Sequence, residues 1–357
     1  MTAARFRLLA PLGASLLLGA CGHSDPFTTP KIDQQGPFNT VARSRITFNS
    51  DADYAPSWTA DGRGIIYTYA DPGRADHDRC LAILPAAGGT RIFTLCDNRP
   101  GHADSAETIT SGALSTDGKL LYLVGSSLPI GQLPVNVTLF LADTSAPFNR
   151  RALLTLPTPV AGGPIPSWLG DVSWVAADQF VAMAQDITLM PQCFGCALRD
   201  TVFNNLGVVR GTVTGSGATL QLLAGTSGAR SYSLADGGST VVFAIGLAIF
   251  KVAVGGGTVT LVTTLPAGNG KRIDDVSCRG GACVVNSFEQ EPNPLGGSRP
   301  AYKLSRFSSA GGAATLIDTT DTGPWSAVRL APTGADAVVR VGSLKTGDLY
   351  LFRNLLP

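Results

Sequence analysis

Six times along the 357 residues, a short strand-like segment ending in an apolar or cysteine residue runs into a tight polar turn and then a run of β-formers. The segments end at Trp58, Leu114, Trp174, Leu234, Cys278 and Leu330, in steps of 56, 60, 60, 44 and 52 residues. Units of this length that each hold four strand-like stretches are the signature of propeller blades. The expected fold is therefore all-β: a six-bladed β-propeller.

The first unit is the clearest, with Ala55-Pro56-Ser57-Trp58, then Asp61-Gly62, then the β-run at 65–69. An Asp-Gly between two β-runs marks a hairpin, because glycine accepts the positive φ the turn needs. The second unit repeats this with Ser111 to Leu114, Asp117-Gly118 and the run at 120–124, and weaker copies start at Asp171, Ser231, Asp275 and Ala327. A third strand and, usually after a Gly-rich turn, a fourth strand follow in each unit. The sixth unit breaks the rule, since its third strand at 348–353 nearly ends the chain. The run Arg45-Ile-Thr-Phe-Asn49 is available at the other terminus and resembles Arg91 to Leu95. An N-terminal strand is thus expected to complete the last blade and remove its free edge.

The run Pro56-Ser-Trp58-Thr-Ala-Asp61-Gly62-Arg-Gly-Ile-Ile-Tyr67 resembles the repeat of TolB-type propellers, also called WD40-like PD40 repeats. Their pattern is P-x-W-S-P-D-G, two basic or variable positions, and a β-run. The match is clear in unit one, fair in units two and four, and one of pattern in the others. The resemblance implies a periplasmic or secreted propeller. TolB itself docks a peptidoglycan-associated lipoprotein. That partnership does not carry over, because no N-terminal α/β domain is read here and the chain has a lipobox of its own.

Arg5 and Arg7 precede the apolar run 8–18, which is too short for an ordinary spanning helix and suits a secretory signal. It ends in Leu18-Gly19-Ala20-Cys21, which looks like a bacterial lipobox in which the Cys21 thiol receives the lipid. A plain secretory signal with an incidental cysteine is the alternative. Gly22 stands where an aspartate would mark inner-membrane retention in enteric bacteria, so outer-membrane attachment is favoured. The expected organisation is a signal peptide at 1–20, a lipidated N-terminus and Pro-rich tether at 21–43, and the propeller at 44–357. The lipid would be the only membrane anchor, with the propeller facing the periplasm or the exterior.

Loss of residues 1–20 removes two arginines and no acid, leaving 25 basic against 26 acidic residues, so no nucleic-acid partner is implied. Beyond Cys21 six cysteines remain in three local couples, Cys80 with Cys96, Cys193 with Cys196 and Cys278 with Cys283, which suits disulfides in an oxidising compartment. Cys193-x-x-Cys196 also has the form of a redox or half-metal motif, but a loop staple is the simpler assignment.

The long connections fall on one side of the expected ring: second-to-third strand at 71–79, 125–136, 185–203 and 289–300, and fourth-to-first at 97–110 and 157–170. Extended loops on one face of a rigid ring are the usual place for recognition. The candidate binding face carries Asp76, His77, Asp78 and His102, with Trp168 and Trp325 placed in its loops to stack on a sugar or clamp a peptide. Trp58 and Trp174, at repeat positions, are expected between blades. Asp274, Asp275, Asp318 and Asp321 are expected near the channel as weak candidates for calcium, although no Asp-x-Asp-x-Asp-Gly loop exists.

There is no G-x-S-x-G, H-E-x-x-H, P-loop or dinucleotide fingerprint, so no catalytic residue or cofactor is assigned. The expected function is a non-catalytic module that binds an envelope protein or peptidoglycan-linked partner. The alternative is a lactonase-like, metal-dependent hydrolase with its site at the channel mouth.

Overall fold

The computed structural model describes residues 42–48, 52–70, 79–96, 107–126, 137–191, 199–321, 323–343 and 346–356. The chain enters with β1 (Arg43–Arg45) and builds blade 1 from β2 (Asp53–Trp58), β3 (Gly64–Ala70), β4 (Arg79–Pro85) and β5 (Phe93–Leu95). Blade 2 holds β6 (Glu107–Leu114), β7 (Lys119–Ser126), β8 (Thr138–Asp143) and β9 (Ala146–Thr155). Blade 3 holds β10 (Trp168–Ala176), β11 (Gln179–Pro191), β12 (Arg199–Val213) and β13 (Ala218–Leu222). Blade 4 holds β14 (Ser231–Ala235), β15 (Thr240–Ile245), β16 (Ala248–Ala253) and β17 (Thr260–Thr264). Blade 5 holds β18 (Arg272–Arg279), β19 (Ala282–Pro292), β20 (Ser298–Ser308) and β21 (Thr315–Thr320). Blade 6 holds β22 (Trp325–Leu330), β23 (Ala337–Val341) and β24 (Asp348–Phe352), and takes β1 as its fourth strand.

The protein is a six-bladed β-propeller in which every sheet is antiparallel and four-stranded. Its core is divided. Six clusters of buried side chains lie one at each junction of neighbouring blades, such as Leu123, Leu139 and Phe180 between blades 2 and 3, or Tyr67, Val338 and Leu351 between blades 6 and 1. A sheet covered on both faces needs no polar side, which is why all seven residues of β3 are buried and its sequence does not alternate. Close approach sets one small residue: a Cβ on Gly112 would stand 2.3 Å from Leu81 Cδ1 of blade 1.

The hairpin turns follow from their sequence. In blade 1 the Thr59 hydroxyl bonds Asp61 Oδ1 (2.6 Å) and accepts the Gly64 N–H (2.9 Å), while Gly62 sits at φ +69°. Ser115, Asp117, Gly118 and Lys119 repeat the arrangement in blade 2, with the Ser115 hydroxyl on Asp117 Oδ1 (2.5 Å) and the Lys119 N–H on Ser115 Oγ (2.9 Å). The Thr59 hydroxyl and the Arg63 N–H hold the Asp61 carboxyl below its ordinary range.

Closure by the N-terminal strand is as expected, with the ladder placed slightly earlier in the chain. Arg43, Ser44 and Arg45 pair with Phe352, Leu351 and Tyr350, so Arg43 belongs to the ring rather than to the tether. Ile46 instead donates its N–H to Leu349 O (2.9 Å) and sinks its side chain into the junction of blades 6 and 1. Arg43 is buried with its guanidinium 5.6 Å from the Trp325 ring and 5.4 Å from that of Phe352. Arg45 pairs with Asp348 at 2.8 Å.

Cys80 is disulfide-bonded to Cys96, and Cys278 to Cys283. Each bond links neighbouring parts of one blade, as the spacing suggested. Cys193 and Cys196 lie outside the described residues, as do Cys21 and residues 22–41, where a tether is expected.

The connections expected as loops at 185–203 and 289–300 are largely strand. β11 and β12 stay paired out to Pro191 opposite Arg199, and β19 and β20 out to Pro292 opposite Ser298. Polar side chains bond across the first of these ladders beyond the blade: Gln185 Nε2 donates to Asn205 Oδ1 (2.8 Å) and Asn204 Nδ2 to Thr188 Oγ1 (3.2 Å). Two ribbons therefore stand up from blades 3 and 5 on one side of the ring.

Candidate functional site

The first strands of the blades pack against one another around the axis. Ala55, Asp171 and Ala327 occupy one repeat position there, each at positive φ (+44°, +45° and +49°), beside a slip of register against the second strand. A bulge of this kind re-aims side chains at an inner rim. In blade 3 the residue at that position is acidic, and so is its equivalent in blade 5, Asp275.

Arg329 of blade 6 joins both. Its Nη1 bonds Asp275 Oδ2, and its Nη2 lies 3.3 Å from Asp171 Oδ2. Blades 3 and 6 stand opposite in a ring of six, so this pair crosses the axis. Asp275 also accepts the backbone N–H groups of Val276 (2.9 Å) and Val328 (2.7 Å). The Tyr232 hydroxyl, from blade 4, donates to the carbonyls of Val181 (2.9 Å) and Asp171. Burial pushes the Asp275 carboxyl up to about 6 against the pull of Arg329. Burial also opposes the charge on Arg329, but Asp275 and then Asp171 outweigh it and hold its pKa above the ordinary value. The axis thus carries its own tethered cation between two carboxylates.

Neighbouring first strands are tied at the last two positions of the repeat segment. Trp58 Nε1 donates to Arg329 O (2.8 Å) and Trp174 Nε1 to Ala113 O (3.2 Å), which places both indoles between blades as expected. Ser233 Oγ accepts the Cys278 N–H (2.8 Å) and Ser277 Oγ the Leu330 N–H (2.9 Å).

On the face that carries the ribbons, a cavity of about 580 Å³ opens between blades 3, 4 and 5. Phe203, Asn204 and Asn205 of the first ribbon form one wall, Gly228 and Arg230 lead into blade 4, and Ile273 and Asp274 close it from blade 5. Arg272 Nε bonds Asp274 Oδ1 at 2.7 Å. Burial raises the Asp274 carboxyl, with Arg272 and Arg230 opposing the rise. The second ribbon is stiffened at its base by Lys303, which pairs with Glu289 and with Glu291 (2.6 Å), and by Lys271 on Glu289 (3.1 Å).

Of the residues singled out in the sequence, Asp76, His77, Asp78 and His102 lie outside the described residues. Trp168 and Trp325 are not loop residues. They begin β10 and β22, both are buried, and each meets a neighbouring ring edge-on, Phe203 at 6.0 Å and Phe352 at 5.6 Å. The junctions between blades take them up as core, so neither offers a stacking surface.

The four aspartates do not converge either. Asp275 faces the axis and Asp274 the rim cavity, whereas Asp318 is buried in β21, the outermost strand of blade 5, and Asp321 follows it and pairs with Arg299 (3.1 Å). Among the described residues no group of three or more His, Cys, Asp or Glu side chains is placed to hold a metal ion. Arg329, Asp171, Arg230, Asn204 and Asn205 are the polar residues at axis and rim that the sequence did not single out.

Fold and axis together define the class, a closed six-bladed propeller with an ion-paired centre and one ribbon-bearing face. Comparison with solved structures agrees with the fold. A gluconolactonase of Xanthomonas campestris matches with TM-score 0.52 and 15% identity, over 91% of this chain and 94% of that one. A luciferin-regenerating enzyme matches with TM-score 0.50 and 10% identity, over 88% and 96%. The Swd1 β-propeller domain of Myceliophteria thermophila matches with TM-score 0.47 and 10% identity, over 90% and 98%. No protein-family model and no curated protein matches the sequence.

Proposed function

We propose that this chain is an outer-membrane lipoprotein whose TolB-like propeller is a non-catalytic docking module for an envelope protein or a peptidoglycan-linked partner. The observation that carries the proposal is the pair of β-ribbons raised from blades 3 and 5. Paired strands hold a recognition surface in place at little ordering cost on binding. Apolar side chains stand exposed on them, Met190 at 55%, Phe203 at 47% and Leu295 at 96% relative exposure. Isolated apolar groups on a stiff polar ribbon suit anchors for a partner surface.

The alternative, a metal-dependent hydrolase, draws its support from the likeness to the gluconolactonase, which at 15% identity is a likeness of fold. At the axis, Asp171 and Asp275 are already engaged by Arg329, which leaves that pair poorly suited to accept a cation.

Crosslinking and capture from native envelopes tests the docking role. Wild type is compared with a variant whose ribbons are cut back to Gln185/Asn205 and Glu289/Ala301. A specific partner captured by wild type and lost by the shortened form, at unchanged melting temperature, is the expected outcome. Equal capture by the two forms would place docking elsewhere. Lipid anchoring is tested separately: Cys21→Ser is expected to abolish labelling by an alkynyl fatty acid and to move the protein into the soluble fraction. Persistent labelling of that variant overturns the lipobox assignment.

A further inference from the structure

We propose that the rim cavity between blades 3, 4 and 5 is a saccharide-binding site, taking a neutral, polyhydroxylated ligand. The proposal deepens the docking role by naming a ligand class for one part of that face, and rests on it only in that the cavity opens there.

The first ground is unspent hydrogen-bonding capacity. Asn205 uses its Oδ1 on Gln185 and Asn204 its Nδ2 on Thr188, so the Asn205 amide nitrogen and the Asn204 carbonyl oxygen have no partner among the described residues. Asp274 has Oδ1 on Arg272 and, among the described residues, no hydrogen bond to Oδ2. Arg230 is exposed, and among the described residues its guanidinium makes no hydrogen bond. One cavity is therefore served by a cationic donor, an anionic acceptor, an amide donor and an amide acceptor. A sugar hydroxyl both donates and accepts, and adjacent hydroxyls on a ring satisfy such a mixed set in pairs.

Charge and shape narrow the class. The lining carries one positive and one negative side chain, so it offers no excess of cationic charge to a phosphate and only one carboxylate to a metal ion. Polar residues dominate it, which disfavours an apolar ligand. Phe203 supplies a half-exposed aromatic ring, in T-shaped contact with Trp168, that can pack against the C–H face of a pyranose. At about 580 Å³ the cavity is within the roughly 300–1,000 Å³ common to small-molecule sites.

Saturation-transfer NMR and calorimetry on the full-length protein in detergent, with chitotetraose, cellotetraose, maltotetraose and a tetra-alanine peptide as probes, test this. At least one oligosaccharide is expected to bind. Arg230→Met, Asp274→Asn and Phe203→Ala are each expected to weaken it by about tenfold or more, the effect of losing a hydrogen bond to a charged group or the aromatic wall. Leu295→Ser, at the tip of the other ribbon, should leave sugar affinity unchanged. Absence of binding by all three oligosaccharides at millimolar concentration, binding indifferent to the three variants, or binding of the peptide alone would overturn the proposal. Partner capture by the ribbons is a separate readout. If it survives while sugar binding fails, the saccharide site is wrong and the docking role stands.

Discussion

Replacing Arg329 with methionine is expected to cost the ring about 3–5 kcal/mol at pH 7.5, the scale seen when one member of a buried ion pair is removed. The substitution keeps an unbranched chain of similar reach but leaves Asp275, buried in blade 5, without its cation, and breaks the link that crosses the axis to Asp171. Denaturant unfolding of Arg329→Met against wild type measures the loss. The double variant Arg329→Met/Asp275→Leu should recover most of it, because the stranded charge is gone. If the double variant is as unstable as the single one, the loss belongs to packing and not to the ion pair.

The pH dependence has a definite sign. Burial raises Asp275 from 3.8 to about 6, so the folded protein binds this proton more readily than the unfolded chain. The stability contributed by that difference is full below 3.8 and is lost as the pH rises through about 6, an effect on the order of 2–3 kcal/mol at 1.36 kcal/mol per unit. The cost of Arg329→Met should therefore be smaller at pH 5 than at pH 7.5, since the unpaired carboxyl protonates. Asp275→Asn should flatten this part of the stability curve. Overlapping curves for Asp275→Asn and wild type between pH 4 and 7.5 would show that Asp275 is not the titrating group.

How much of this was legible beforehand depends on whether a feature repeats. Blades recur, so the six first strands, the Asp-Gly hairpins and the missing strand of blade 6 could be read from spacing and turn chemistry. Trp58 and Trp174 were placed between blades because they share a repeat position. Trp168 and Trp325 were misplaced because they precede the recognisable segment, where a strand start and a loop end look alike in sequence. The ribbons look like loops in sequence because both stretches hold turn-forming residues, Pro191 and Gly195 in one and Pro292, Pro294, Gly296 and Gly297 in the other; their pairing is carried by backbone, joined in the first ribbon by Gln185, Asn205, Thr188 and Asn204. The axial network does leave a mark in the sequence. At the position of Asp171 and Asp275 the other units carry Ala55, Ser111, Ser231 and Ala327, and at the position of Arg329 they carry Ser57, Ala113, Ser173, Ser233 and Ser277. A charged residue where the repeat has small ones marks a departure from the blade pattern. The rim cavity had no such clue, since Asn205, Arg230 and Asp274 come from three different blades and meet only when the ring is closed.

Deleting residues 42–48 is expected to have the second large effect, converting a closed ring into self-associating or unfolded chains. The segment supplies the fourth strand of blade 6, and with it go the pairing of β1 with β24, the Arg45–Asp348 ion pair, the Leu349 N–H bond to Thr47 Oγ1 (2.8 Å) and the buried side chains of Arg43 and Ile46. Loss of the Ile46 packing alone is worth about 2–5 kcal/mol. What remains is β24 as a bare edge whose Leu349, Leu351 and Phe352 were buried, a template for pairing with the same strand of another copy. Ile46→Pro is the milder form, removing the N–H bond to Leu349 O while keeping the rest of the strand. Size-exclusion chromatography with denaturant unfolding separates the outcomes. The deletion should elute as a larger species than wild type, Ile46→Pro as a destabilised protein of wild-type size, and a synthetic peptide of residues 40–50 should return the deleted protein toward wild-type size by occupying the empty edge. A deletion variant that keeps wild-type size and stability would show that the ring is held shut by its junctions between blades and not by the N-terminal strand. Release of this outermost strand would also let blade 6 lose its outer edge without disturbing the ion pairs at the axis. The deletion should therefore leave the pH dependence attributed to Asp275 in place wherever the shortened chain still folds.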